Sequence, residues 1–359
     1  MTTQTLEKPA RAYPDYRKIL KQNLPAEYFK ADPSHALWMI PHLALIAGCW
    51  FLLSAYFSWW LAPICSVLIA HSFGCNGFIS HDVCHGGGFK NGRIRHLIAG
   101  IGFSPFWIGP HLWSKWHNAD HHNNTQIEGI DPDHLFTIEI YEKSPILRFL
   151  CRLKPAVRSM VVFGSFSFRM SQHNLMMVVR YLKSPKTTTA SKATIIIQLL
   201  LPFAFWVGTS ILLGWHVFFF GYLIPLAIAN AIVISYIATN HFLNPLADER
   251  DVLATSLSVT LPKYLSWLDF LHSRFGAHVA HHLFPQAPIK HVRAIEEKIQ
   301  ELWPDRFHIM PLGRALRLLW VTPWIYEEKT MLVDPHRQVR MPTLGHGMPN
   351  ESRKARKTA

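Results

Sequence analysis

The chain has 359 residues, of which 49% are hydrophobic and 16% charged, well below the roughly 25% charge of soluble globular chains. That composition excludes an ordinary soluble multidomain protein of this length. The formal net charge of +13 has no soluble fold to present it as a nucleic-acid stripe. It reads instead as the positive bias of cytoplasmic segments and attraction to anionic head groups, so membrane lipids are expected partners and nucleic acid is not. The five cysteines (Cys49, Cys65, Cys75, Cys84 and Cys151) lack paired spacing, so no disulfide framework is expected.

In chain order, residues 1–35 form a mixed arm carrying Lys8, Arg11, Arg17, Lys18, Lys21 and Lys30. The arm shows no short apolar core with a cleavage site, so no signal peptide is expected. From Ala36 to Ser80 there is no Lys, Arg, Asp or Glu, and a membrane helix needs roughly 20 mainly apolar residues. Two spans are therefore expected, at about 36–57 and 61–80, joined by an aromatic turn at Ser58-Trp59-Trp60. His96 to Ser114 is uncharged but too short and too rich in Gly and Pro for a span; it reads as a dip into the membrane on the cytoplasmic side or a helix packed on the spans. Between Tyr141 and Lys192, Arg148, Arg152 and Arg158 alternate with Phe149, Leu150, Val161, Val162 and Phe163, the pattern of a helix lying in the interface. Ala193 to Ala247 is again free of charge, giving spans at about 193–213 and 217–238 with a turn at Gly214-Trp215-His216. Leu253 to Leu319 has soluble-helix character, with one amphipathic helix from Val292 to Leu302.

Residues 320–359 read as a C-terminal tail. Its end, from Gln338 and including Arg340, Arg353, Lys354, Arg356 and Lys357, is expected to be disordered. Basic residues cluster in the N-terminal arm, the middle loop and the C-terminal region, so both termini and the middle loop are expected to be cytoplasmic. The expected fold class is an all-α membrane protein: four transmembrane helices in two hairpins, under a cytoplasmic helical cap within a body spanning 36–319.

Histidine occurs 22 times, and three clusters stand out: His81 and His85; His117, His121 and His122; His278, His281 and His282. Residues three or four apart share a helix face, so each cluster can converge its imidazoles on a metal. The middle cluster, with its i+5 member, fans out more widely and suits a helix end. A single HxxxH is usually not a ligand pair. Three clusters that all fall on one membrane face are not reached by composition alone, and His241, just after the fourth span, lies at the depth of His81 as a ninth candidate. Eight or nine nitrogens exceed the coordination of one ion, so two ions are implied. Imidazole suits Fe, Zn, Cu and Ni alike, and ligand type by itself leaves the metal open. His42, His71, His173 and His216 read as structural or interfacial.

The order HxxxH, HxxxHH and HxxHH, interleaved with two membrane hairpins from about Pro41 to Arg306, resembles the membrane-bound fatty acid desaturase family and its hydroxylase relatives. The stretch His278-Val279-Ala280-His281-His282-Leu283-Phe284-Pro285 is similar to acyl-lipid desaturases that act on a chain already carrying a double bond. The resemblance implies a di-iron centre, dioxygen as co-substrate, no bound organic cofactor, and two electrons from a separate donor of ferredoxin or cytochrome type. Carried over by position, it implies ligands His81, His85, His117, His121, His122, His278, His281 and His282, and His241 matches a further ligand of some members. Ile237 stands where some members place a contributing asparagine, with Asn240 adjacent to the histidine instead.

Oxidising an unactivated methylene needs a redox-active metal, which excludes zinc as the catalyst. Asp82, Asn118, Asp120 and Asn240 are candidates to orient ligand rings, with helix capping as the ordinary alternative. Asp131-Pro132-Asp133-His134 reads as an orienting or structural turn. Phe73, Phe78, Phe106, Trp107, Trp113 and Trp116 are candidate walls of an acyl-chain tunnel. The expected reaction is insertion of a double bond into an acyl-chain lipid. The nearest rival is a hydroxylase or ketolase acting on an alkane, sterol, carotenoid or other lipid. A metal transporter would instead place its ligands within the spans.

Overall fold

The computed structural model describes residues 14–348 and is mostly helical. Four helices are long and apolar enough to cross a membrane: Pro33–Ala55, Leu61–Cys84, Thr189–Leu212 and Val217–His241. Their ends fall within a few residues of the expected spans, because uninterrupted apolar sequence is what distinguishes them.

The second of these helices is the centre of the molecule. The first helix, the fourth helix and the helix Gly92–Phe103 all pack along it, burying Ile69, Phe73, Phe78 and Ile79. Small residues on packed helices let backbones approach closely, and Gly102 is the sharpest case. A Cβ there would overlap Ser80 Oγ, Met39 Cε and the Asn76 carbonyl. Gly102→Ala is therefore expected to destabilise the fold by about 1–3 kcal/mol, the usual cost of overpacking, read as a lower thermal midpoint in detergent.

The two aromatic turns lie together. Phe57 packs on Trp59, Trp215 and His216, and the rings of Trp59 and Trp215 are 6.1 Å apart. Trp59, Trp60 and Trp215 are exposed, as expected of residues whose apolar ring carries an N–H that seeks a polar partner.

Residues 96–114 pack on the second helix rather than forming a fifth apolar helix. The chain reverses at Trp107, whose φ is +59°. Its indole Nε1 donates to the Tyr222 hydroxyl at 2.6 Å, and its carbonyl accepts from Asn174 Nδ2 at 2.8 Å. The stretch read as interfacial forms the helices Ile138–Lys143, Pro145–Arg152 and Pro155–Lys183. The longest of them runs along the fourth apolar helix, and Arg158, which the sequence pattern assigns to a polar face, turns inward to pair with Asp334.

Among the described residues there are also six short strands beside the helices, which the all-α expectation omitted. Ser258–Thr260 pairs in parallel with Ile309–Pro311. A four-stranded sheet joins Phe136–Thr137, Ile325–Glu328, Met331–Asp334 and Val339–Pro342 in that order. Strands of two to four residues carry too little periodicity to be seen locally; tertiary pairing makes them. The described part of the segment read as a disordered tail, Gln338 to Met348, is folded: Val339–Pro342 is a strand, and the Leu344 N–H donates to the Leu243 carbonyl at 2.9 Å. The remainder of that tail, with Arg353, Lys354, Arg356 and Lys357, lies outside the described residues.

The amphipathic helix runs over Ile289–Leu302 and buries Val292, Ile295 and Ile299. Glu296 is buried with them, held by Arg293 at 2.8 Å.

Candidate metal centre

His81 closes the second apolar helix, with His85 at its end, and His241 closes the fourth. The middle cluster sits on a π-helical turn, Trp116–His121. The His122 N–H reaches the His117 carbonyl five residues back, the i→i+5 bond of a π-helix. The wider turn brings both i+4 and i+5 toward one side, so the cluster is gathered by a π-turn and not by fanning from an ordinary helix end. His278, His281 and His282 lie on the short helix His278–Leu283, fixed near its start by Val279 N–H donating to Ser258 Oγ at 3.1 Å.

All nine histidines converge, in two groups. His81, His85, His117, His122 and His281 each bring one ring nitrogen within 4.8 Å of the others, and His121, His241 and His282 do the same beside them. His278 joins the second group, its Nε2 lying 2.7 Å from His241 Nε2. In the first group His117 Nε2 is 3.1 Å from His81 Nε2 and 3.2 Å from His122 Nε2. Adjacent ligands of one octahedral ion with bonds near 2.1 Å are about 3 Å apart, so these spacings fit imidazoles converging on a shared cation. The stacked rings of His122 and His282, 4.2 Å apart, join the groups.

The donor set also fits chemically. Burial first, and the neighbouring imidazoles second, hold His85, His117, His122, His278, His281 and His282 well below the ordinary histidine value. These rings are neutral, the state a metal ligand requires. The Nε2 atoms of His85, His281 and His282 are buried with no hydrogen-bond partner, which is costly unless something else occupies the site.

Asp131, which motif reading left as an orienting residue or part of a structural turn, lies against the middle cluster. Its Oδ1 accepts from His121 Nδ1 at 2.9 Å, deep in the protein. Burial pulls His121 downward, but Asp131 outweighs it and, with Asp133, raises the ring above its usual value. Asp133 bridges His121 Nδ1 at 3.6 Å and His173 Nε2 at 3.4 Å, so His173 connects to the centre through a carboxylate. Thr125 Oγ1 lies 3.2 Å from His282 Nδ1. The available signal was the closeness of Asp131 and Asp133 to the middle cluster.

Of the four orienting candidates, Asp82 meets a candidate ligand, its Oδ1 lying 3.5 Å from His81 Nδ1, at the long end of hydrogen-bond range. The other three turn elsewhere. Asn118 points its Nδ2 at the Cys84 carbonyl, and Asp120 accepts from the Tyr181 hydroxyl at 3.2 Å. Asn240 is fully buried, with neither side-chain polar atom hydrogen-bonded. His134 makes its contact with the Leu135 carbonyl and not with the cluster.

A cavity of about 340 Å³ opens from His81, His117, His121, His241 and His278 and runs beside the long helix Pro155–Lys183 and the fourth apolar helix. Its size falls in the range of roughly 300–1,000 Å³ typical of ligand sites. Phe78, Phe106, Trp113 and Trp116 line it as expected, whereas Phe73 and Trp107 do not. Phe73 packs on Trp206 and Trp107 bonds to Tyr222. Val162, Phe166, Val233 and Ile234 supply walls from the two helices.

The model of the fatty acid desaturase family matches residues 57–313 of the chain. A Delta(8)-fatty-acid desaturase of Euglena gracilis is 27% identical over 168 residues, covering 44% of this chain and 36% of that protein. The chloroplastic omega-6 fatty acid desaturase of Arabidopsis thaliana is 23% identical over 299 residues, 80% and 64% of the two chains. An sn-1 acyl-lipid omega-3 desaturase (ferredoxin) of Synechocystis is 24% identical over 311 residues, 82% and 84% of the two chains. The chain thus spans about a third of the first relative's length and just under two thirds of the second's.

Proposed function

The chain belongs to the fatty acid desaturase family, and from that premise we propose that it is a multi-pass integral membrane oxidoreductase that inserts a double bond into the acyl chain of a lipid. The reaction takes dioxygen and two electrons from a separate donor. The observation that carries this reading is the meeting of two histidine groups at a mostly apolar cavity. In this reading His81, His85, His117, His122 and His281 hold one iron, and His121, His241, His278 and His282 hold the other. The chemistry such a pair supplies when bound is reductive activation of dioxygen, strong enough to remove two hydrogens from unactivated methylenes.

The residues of the chain do the rest. Burial keeps the imidazoles of His85, His117, His122, His278, His281 and His282 neutral. Asp131 holds the ring of His121 by its Nδ1, leaving Nε2 as the donor atom. The apolar walls hold the acyl chain extended beside the centre and exclude water. The basic arm and loops put the centre and both termini on the cytoplasmic face, where a soluble donor can reach it. A ferredoxin-type donor is favoured, since relatives in Synechocystis and Nostoc carry that donor in their names.

Expressed in a host that supplies electrons, the intact chain is expected to add an unsaturated acyl species that is absent with His281→Ala. Hydroxylated chains in its place would move the assignment to the hydroxylase reading. Unchanged lipids, with iron-loaded protein present, would overturn both. The cavity makes a separate prediction. Ile234→Trp fills its wall and is expected to lower product from the native chain length by roughly tenfold or more, the scale on which a pocket rejects misfitting bulk. Its iron content should be unchanged.

A further inference from the structure

We propose that His71, Cys75 and His272 form a second metal site, distinct from the histidine centre, that takes a single soft d10 ion, Cu⁺ or Zn²⁺. His71 and Cys75 are one turn apart on the second apolar helix, and His272 ends the short helix Ser266–Leu271. One donor atom from each lies within 4.8 Å of the other two. The donors are within reach of one ion. Tetrahedral bonds near 2.0 Å to nitrogen and 2.3 Å to sulfur put those two donors about 3.5 Å apart. Cys75 Sγ stands 3.6 Å from His71 Nε2 and 3.8 Å from its Nδ1, so the imidazole has only to turn to aim a lone pair at the shared ion. Two imidazoles on one such ion have ring centres about 5 Å apart, and those of His71 and His272 are 5.2 Å apart.

His272 supplies an independent observation. It is only 7% exposed. The Tyr236 hydroxyl occupies its Nδ1 at 3.1 Å, while its Nε2 has no hydrogen-bond partner. This bond at Nδ1 fixes the ring as carboxylate, carbonyl or water partners fix metal-bound histidines. His42 stands alongside, its ring 6.1 Å from that of His71 and its Nδ1 on Ser72 Oγ. Phe78 and Phe275 form an aromatic layer between this cluster and the histidine centre: Phe78 lies against His272, and Phe275 against His81 and His278.

The donor chemistry selects the ion. One thiolate with two neutral imidazoles favours a soft or borderline ion over iron of the all-nitrogen kind. Ionisable side chains this far into an apolar helix are rarely without a task. One thiolate also balances the charge of Cu⁺ completely, which suits a low-dielectric surrounding. The ion would pin the end of Ser266–Leu271 to the second helix, six residues before His278, and so hold the third histidine cluster against the first.

The test is element analysis and X-ray absorption on the purified full-length chain. The expected result is copper or zinc in addition to iron, with one sulfur neighbour at about 2.3 Å; the absorbing edge tells which ion it is. Cys75→Ser is expected to lower that metal several-fold and leave iron unchanged. Absence of copper and zinc above background would overturn the proposal. So would copper or zinc surrounded only by nitrogen and oxygen, since that metal would sit among the nine histidines. Should Cys75→Ser not accumulate, the sulfur signal of the unaltered protein decides the matter alone.

Discussion

His85→Ala and His278→Ala are each expected to abolish product, and each to reduce bound iron from two ions per chain to about one, because the two residues belong to different groups. His85 lies among the rings of His81, His117, His122 and His281. His278 faces His241 and His282. Removing one ligand from a multidentate site weakens the remaining bonds to that ion far more than those to its neighbour. The fold should survive, since an extended apolar core formed by the packed helices holds it together. Iron measured by mass spectrometry on protein with an unchanged thermal midpoint checks both halves. If both variants kept two irons, the division of the nine histidines into five and four would be wrong.

Asp131→Asn is expected to lower activity by about 10–100-fold, the usual cost of losing a residue that orients a metal ligand. The carboxylate serves two ends. Oδ1 takes the His121 ring and the Asp133 N–H, and Oδ2 accepts the Gln126 N–H at 2.7 Å. An amide keeps the shape but offers only one acceptor oxygen, and it removes the charge that raises His121. The turn 126–133 should therefore loosen and His121 lose its fixed orientation. Asp120→Asn, four residues into the same motif, is the informative control, because its side chain bonds to Tyr181 and not to an imidazole. Comparable losses in the two variants would mean that Asp131 acts on the fold rather than on the ring.

Much of this molecule was legible before its structure. Apolar runs without charge mark the four helices, because a bilayer demands length and hydrophobicity that a linear sequence displays directly. Histidine spacing marks eight of the nine residues that converge, because positions about one turn apart share a face whatever the helix packs against; the ninth, His241, is marked by its place just after the fourth span. What sequence could not supply was the choice of partner across long separations. His117 meets His81 from 36 residues away, and His282 meets Thr125 from 157 away. That a π-turn gathers the middle cluster depends on one backbone bond, from His122 to His117, with no compositional mark. The sequence put Asp120 ahead of Asp131, though both lie near the cluster, because only the folded turn aims the Asp131 carboxylate at His121.

The long helix Pro155–Lys183 shows the same limit from the other side. Its alternating Arg and apolar residues fit an interfacial helix equally well, and only the tertiary structure lays it along the fourth helix to wall the cavity. Arg158 goes inward because Asp334, brought back by a strand hairpin, satisfies it. The cluster of His71, Cys75 and His272 was invisible for a like reason: its members are joined by a distance of 5.2 Å between rings and by nearly 200 residues of chain. By itself the sequence determined which segments are apolar enough to span a bilayer and which side chains can bind metal, since both follow from local composition and helical period. Only the tertiary structure decided which imidazoles come together, which carboxylate meets one of them and where the apolar cavity lies, since each depends on packing between segments remote in sequence.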